Sequence, residues 1–253
     1  MTSCFGAAQT GTSTPSLSPF SQAPDSPALV QLQQFKPIYF LMGTPDTKVQ
    51  FSFKGQLVRT VPFYFAYTQL MMWDLFKSGA PIRDVNFNPE LFYRLYLENH
   101  LKSIGVQLID LGLFEHESNG KGGTSAERSW NRTSITLKSG TNYFRWSFKI
   151  WYPYAFNPNS QNLPQYRGIW ELNLSLLRFL GPFFETHELA FRLYPGGVTF
   201  NNPFLGGQEV TLTAQLALKP LMTSLVIQIF HGYGENLLNE NDERFALRVG
   251  IGF

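Results

Sequence analysis

From Gln34 onward, apolar and polar residues alternate in runs of roughly ten, with turn residues between them, which is the length a tilted membrane strand needs. Between Tyr143 and Tyr152, Phe144, Trp146, Phe148, Ile150 and Tyr152 fall on one parity and Arg145, Ser147 and Lys149 on the other. Trp170, Leu172, Leu174 and Leu176 alternate with Glu171, Asn173 and Ser175. Val210, Leu212, Ala214, Leu216 and Leu218 alternate with Glu209, Thr211, Thr213 and Gln215. Successive strand side chains leave opposite faces, so a period of two builds strands with one apolar and one polar side. Twelve such strands are predicted, near 36–43, 48–57, 63–75, 90–98, 104–118, 129–138, 143–154, 167–179, 186–194, 208–218, 223–234 and 243–253. The pattern predicts an all-β chain, a twelve-stranded antiparallel transmembrane β-barrel, apolar outside and polar within. A soluble sandwich has the same period with its faces inverted, so alternation alone does not separate the two.

Composition separates them. The chain has 24 Phe and is 16% aromatic, a ring content that suits interfacial girdles. No apolar run approaches the roughly 18–20 residues of a spanning helix, so a membrane would be crossed by strands. The last strand sets Phe245, Leu247, Val249, Ile251 and Phe253 on one stripe and ends on that Phe, as bacterial outer-membrane barrels do. A net charge of +2 with 15% charged residues gives no nucleic-acid footprint, so no nucleic-acid partner is expected. Arg145, Lys149, Glu171, Glu188, Arg192, Arg244 and Arg248 share the polar parity, and mixed signs predict a hydrogen-bonded plug rather than a pore. The single cysteine, Cys4, reads as a surface thiol. Residues 1–33 are Ser/Thr/Pro-rich and read as a disordered segment before a barrel domain at 34–253; lacking the pattern of a secretory signal, the chain reads as a mature or trimmed form.

Candidate chemistry concentrates in Phe114–Arg132. His116 and Ser118 are two apart and share a strand face. If the flanking strands pair with Ser118 opposite Ser129, the same register sets His116 opposite Asn131, with Cβ atoms about 4.5–5.5 Å apart. A hydroxyl, an imidazole and a carboxamide then converge: Ser118 as nucleophile, His116 as base, Asn131 fixing the imidazole. The turn that follows would aim the backbone N–H groups of Ser118 and Gly120 at a developing oxyanion. Asn131 shares parity with Thr133, Ile135 and Leu137, so the three groups face lipid. Asp110 has the same parity as His116, which predicts a β-bulge between Asp110 and Leu113 that re-phases the strand.

His116–Gly120 (HESNG) followed by Ser129–Arg132 (SWNR) resembles the signature of the outer membrane phospholipase A family, which are phospholipase A1 enzymes. The flanks AYTQLMMWDL (66–75), NPELF (88–92) and HGYGENL (231–237) are similar to it too, and the resemblance runs from about Val49 to Phe253. It implies hydrolysis of phospholipid acyl esters (A1, with A2 and lysophospholipase activity as extensions), location in the outer-membrane bilayer with both termini periplasmic and the site at the outer leaflet, and activation by calcium-linked homodimerisation. By the same resemblance, calcium ligands fall at the Lys121 carbonyl and in the partner's 77–80 loop, where Ser78 stands. The family's serine before Ser-Trp-Asn is replaced by Ala126-Glu127-Arg128, so Ser125 or the Glu127 carboxylate would substitute. Gln69 matches a polar dimer-interface residue. The competing reading is a catalytically silent barrel, a pore or structural protein. His100, His187 and His231 show no metal-ligand spacing, and the sequons at Asn131 and Asn173 fall within predicted strands.

Overall fold

The computed structural model describes residues 31–97, 105–181, 184–197, 199–216 and 223–253. The expected Glu98–Ser103 turn, His100 and Cys4 lie outside them. The described strands are β1 (Leu32–Gln34), β2 (Tyr39–Thr44), β3 (Thr47–Val58), β4 (Val61–Trp73), β5 (Ile82–Tyr96), β6 (Leu108–Ser118), β7 (Ser129–Gly140), β8 (Phe144–Tyr154), β9 (Trp170–Leu177), β10 (Phe184–Gly196), β11 (Asn202–Leu216), β12 (Ser224–Gly232) and β13 (Arg244–Gly252). From β2 to β13 each strand pairs antiparallel with the next, and β13 pairs back onto β2. The result is the closed twelve-stranded barrel that the dyad pattern predicts, with no sheet edge left within the ring.

Three differences from the predicted strands have local causes. The first strand position is split. β1 lies opposite Phe53–Gly55 and β2 opposite Lys48–Gln50 on the same edge of β3, while Phe35–Ile38 steps into the lumen between them. There Phe35 stacks on Phe92 at 5.6 Å and the Lys36 ammonium meets Glu90 at 2.7 Å. β1 thus overlaps the end of the segment, residues 1–33, that was expected to be a disordered leader. β5 starts at Ile82 instead of 90, because Pro89 masks a regular alternation of inward Asp84, Asn86, Asn88 and Glu90 with outward Val85 and Phe87. β9 starts at Trp170 instead of 167, because a one-turn helix α1 (Leu163–Arg167) occupies the approach and Gly168, at φ +64°, ends it.

The molecule is apolar outside and polar within. Phe51, Ile135, Ile150, Val210, Ile229, Leu247 and Val249 are exposed outward, while Lys48, Glu90, Arg94, Asp110, Glu115, Arg132 and Arg248 are buried in the lumen. Buried charges persist when paired and hydrogen-bonded. Every one of the seven residues expected to form the plug has a partner: Arg145 with Glu188 (2.9 Å), Lys149 with Glu115 (2.6 Å), Arg192 with Glu171 (2.6 Å), and Arg244 and Arg248 with Asp46 (3.2 and 2.5 Å). At the long-loop rim, two loops fold over the lumen. Leu163 of α1 and Leu237 pack with Trp130 and Trp151, and the Arg167 guanidinium donates to the Gly234 carbonyl (2.5 Å). Glu235 reaches down to Arg248 (2.6 Å) and Lys48 (3.2 Å).

Candidate active site

β6 and β7 form the predicted hairpin in the predicted register, with His116 opposite Asn131 and Ser118 opposite Ser129. The alternation that turns these residues outward turns Glu115, Glu117, Trp130 and Arg132 inward, where all four are buried. The expected bulge is present. Gly112 lies opposite Ser134 but Glu115 opposite Arg132, and on the other edge Phe92 lies opposite Gly112 but Leu91 opposite Phe114, so Leu113 is the extra residue. Leu113 and Phe114 are consequently both exposed, Asp110 below them turns inward to Arg94 (2.7 Å), and His116 above them turns outward. The Phe114 ring lies parallel to the imidazole, with centroids 6.4 Å apart.

The His116 Nδ1 is 2.6 Å from Asn131 Oδ1, so an N–H there donates to the carboxamide oxygen and Nε2 is left as the basic nitrogen. Ser118 is half-buried at the rim end of β6. Just beyond it Gly120 adopts φ +67°, and a Cβ there would stand 2.8 Å from the Phe87 ring, so only glycine makes this turn.

Asn119, which sequence reasoning read as part of a turn, is the organiser of the loop. Its Oδ1 accepts from the Arg128 N–H (2.9 Å), its Nδ2 donates to the Ala126 carbonyl (2.8 Å), and its own N–H donates to the Arg128 carbonyl (3.0 Å). The lumenal residues behind the hairpin were also missed. Glu117 accepts from Trp130 Nε1 (3.1 Å), Arg132 (2.9 Å) and Arg167 (3.2 Å), and Glu115 is paired with Arg132 and Lys149. Their signal was available as the opposite parity of the same hairpin.

The expected calcium donors are distributed as follows. The Lys121 carbonyl accepts from the Thr124 hydroxyl (2.8 Å), and the Glu127 carboxylate from the Gly123 N–H (2.8 Å). Ser125 is exposed, and its carbonyl, with that of Glu127, receives the Arg128 guanidinium (3.0 Å each). Ser78 is exposed in the tight 74–81 loop on the neighbouring hairpin. Carbonyl, hydroxyl and carboxylate oxygens are the donors calcium takes, so the loop fits the ion in chemistry. It is held by bonds among its own residues, by Lys121 Nζ donating to the Arg83 carbonyl (2.8 Å) and by Arg128 paired with Glu240 (3.2 Å). Gln69 lies between Phe51 and Phe87 in the ladder, its Oε1 accepting from the Tyr67 hydroxyl (2.8 Å).

A closed barrel with a hydroxyl, an imidazole and a carboxamide on its outer surface defines a class of membrane-embedded β-barrel proteins with enzyme-like side chains facing lipid. Residues 42–253 match the family model described as phospholipase A1, and the chain belongs to that family. It is 27% identical over 189 residues to phospholipase A1 of Salmonella typhimurium and 26% identical over 189 residues to that of Escherichia coli K12, in each case over 74% of this chain. These alignments span 60% of the relatives' length. Among solved structures, the fold is similar to a Salmonella typhi outer membrane phospholipase dimer with bound calcium (TM-score 0.74, 22% identity, 88% of this chain and 92% of that one). It is equally similar to outer membrane phospholipase A from Escherichia coli (TM-score 0.74, 21% identity, 88% and 94%). Fold and family together locate the chain in the bacterial outer membrane.

Proposed function

We propose that this chain hydrolyses the acyl esters of membrane phospholipids, through Ser118 as nucleophile, His116 as general base and Asn131 as the group that orients the imidazole. The observation that carries this reading is the 2.6 Å contact of His116 Nδ1 with Asn131 Oδ1 on the face that also bears Ser118. With Nδ1–H donated to Asn131, Nε2 takes the Ser118 proton as the hydroxyl attacks the ester carbonyl. The backbone N–H groups of Ser118 and Gly120 receive the developing oxyanion, in keeping with the left-handed turn at Gly120. His116 then returns the proton to the departing lysophospholipid oxygen. Water, deprotonated by the same imidazole, releases the fatty acid from Ser118. A lipid-facing site suits a substrate already dissolved in the bilayer, and its position at the long-loop rim suits the outer leaflet. Cleavage at the second acyl position and of lysophospholipid would use the same residues.

The active form is read as a homodimer with calcium, an arrangement that the Salmonella typhi structure has. The Lys121 carbonyl, Ser125 and Glu127 of one subunit would hold the ion together with Ser78 of the second, and Gln69 would lie in the shared surface. Calcium, when bound, would supply positive charge that favours the developing oxyanion. A pore is disfavoured by the paired charges of the lumen and by the loops folded over it.

The test is phospholipid hydrolysis by detergent-refolded protein, with calcium or chelator, beside Ser118→Ala. Calcium-dependent fatty-acid release that Ser118→Ala abolishes is the expected result. Activity that survives the chelator would remove calcium from the mechanism. Activity that survives Ser118→Ala would overturn the triad.

A further inference from the structure

The NPELF stretch has no role in the triad, yet it lies against it. β5 pairs with β6 in one register on either side of a gap, with Phe87 opposite Ser118 and Glu90 opposite Glu115. That register sets Asn88 opposite Glu117 and Pro89 opposite His116, and these two pairs are missing from the ladder. The cause is covalent: proline has no N–H, so the His116 carbonyl cannot receive the ladder bond due from position 89. A buried carbonyl without a donor is costly. The Asn88 side chain, buried in the lumen, fills the vacancy by donating its Nδ2 to the His116 carbonyl oxygen at 2.8 Å. Its own Oδ1 accepts from Lys36 Nζ (3.3 Å), which fixes which way the amide points. Lys36 is in turn held by Glu90 at 2.7 Å.

We infer that Asn88 is a positioning residue for the proposed base: its carboxamide substitutes for the main-chain bond that Pro89 cannot make and so fixes the backbone from which the His116 imidazole projects. The inference rests on the catalytic reading of His116. The side chain acts from the lumen on a group that works at the lipid face, so it touches neither substrate nor reacting atoms. A misplacement of about 1 Å at a reacting group can cost on the order of 100-fold in rate. An anchor one bond away from the base is where such an effect should arise.

The experiment compares wild type, Ser118→Ala, Asn88→Ala, Asn88→Asp and the double variant Asn88→Ala/Pro89→Ala, as full chains refolded in detergent. Each is assayed for kcat and KM on phospholipid micelles, for the rate of Ser118 labelling by a fluorophosphonate, and for its thermal midpoint. Asn88→Ala and Asn88→Asp should lower kcat and the labelling rate roughly 10- to 100-fold with KM within about twofold. Pro89→Ala returns an N–H to position 89, so the double variant should regain most of the lost rate. A loss of rate with the thermal midpoint unchanged, recovered in the double variant, is something a merely structural role would not give. Wild-type kcat in Asn88→Ala overturns the inference, as does a loss that tracks a lowered thermal midpoint and is not recovered in the double variant. If Ser118→Ala is as active as wild type, the catalytic reading fails and this inference falls with it. An inactive Ser118→Ala beside a fully active Asn88→Ala sinks the inference alone.

Discussion

The two faces of the β6–β7 hairpin are built from the same residues in alternation and could hardly differ more. Outward, Ser118, His116 and Asn131 are half-buried, and the His116–Asn131 hydrogen bond joins two of them. Inward, Glu115, Glu117, Trp130 and Arg132 are buried, and Arg132 is held by two carboxylates while its guanidinium lies 4.3 Å from the Trp130 ring centre. The difference teaches a division of labour. A reacting group must keep an atom available, so it cannot be fully satisfied, and its placement has to come from groups that are. Here those groups sit on the opposite side of the same backbone, one residue away.

The comparison predicts that outward substitutions cost activity and inward ones cost stability. The largest effect is expected for Ser118→Ala, a loss on the order of 1,000-fold or more in kcat with the thermal midpoint unchanged. Next comes Arg132→Leu, which strands Glu115 and Glu117 in the lumen and should cost about 3–5 kcal/mol in urea unfolding from detergent. If that variant unfolds like wild type, the lumenal cluster is not what holds the hairpin. Asn131→Ala should lower kcat roughly 10- to 100-fold and leave unfolding nearly unchanged, since the half-buried contact it deletes is worth only about 1 kcal/mol to the fold. A loss of stability larger than its loss of rate would blur the two faces.

The smallest effect concerns pH and the loop folded over the lumen. Burial pushes the Glu235 carboxyl up, but Lys48 and Arg248 outweigh it and hold the group at about 2, against 4.5 for an ordinary glutamate. A carboxyl depressed in the folded state stabilises it fully above the unfolded value and progressively less as pH falls through the folded one. The thermal midpoint should therefore be flat from neutral pH to about 4.5 and drop between there and about 2. Glu235→Gln should make that drop smaller. A wild-type midpoint that falls already between pH 7 and 5 would assign the sensitivity to another group.

Much of this was legible from parity alone. A period of two carries each side chain to a definite face, so the strand count, the outward placement of His116, Ser118 and Asn131, the plug residues and even the bulge beside Leu113 followed from counting. What was not legible depended on residues that act against the period. Pro89 hid the first half of β5, and the inward step at Phe35–Ile38 broke the first strand with no change in composition. Asn119 and Asn88 work through backbone atoms of other segments, which no pattern of side-chain polarity reveals. The lumenal partners of the loops, Arg167 with Glu117 and Glu235 with Arg248, are separated by 50 and 13 residues and meet because the loops fold back over the lumen.

That closure is uneven around the circumference, because the chain turns inward at Phe35–Ile38. β13 fastens to Tyr39–Thr44, and its last bond runs from the Phe253 amide to the Ile38 carbonyl at 3.0 Å. Below that point β1 holds to β3 alone among the described strands. The first strand therefore works like the pin of a clasp: its upper half locks the two ends of the chain together, and its lower half is hinged to one side only. Under heat or force the clasp should be the first part to give, well away from the hairpin to which the chemistry is assigned in the proposal.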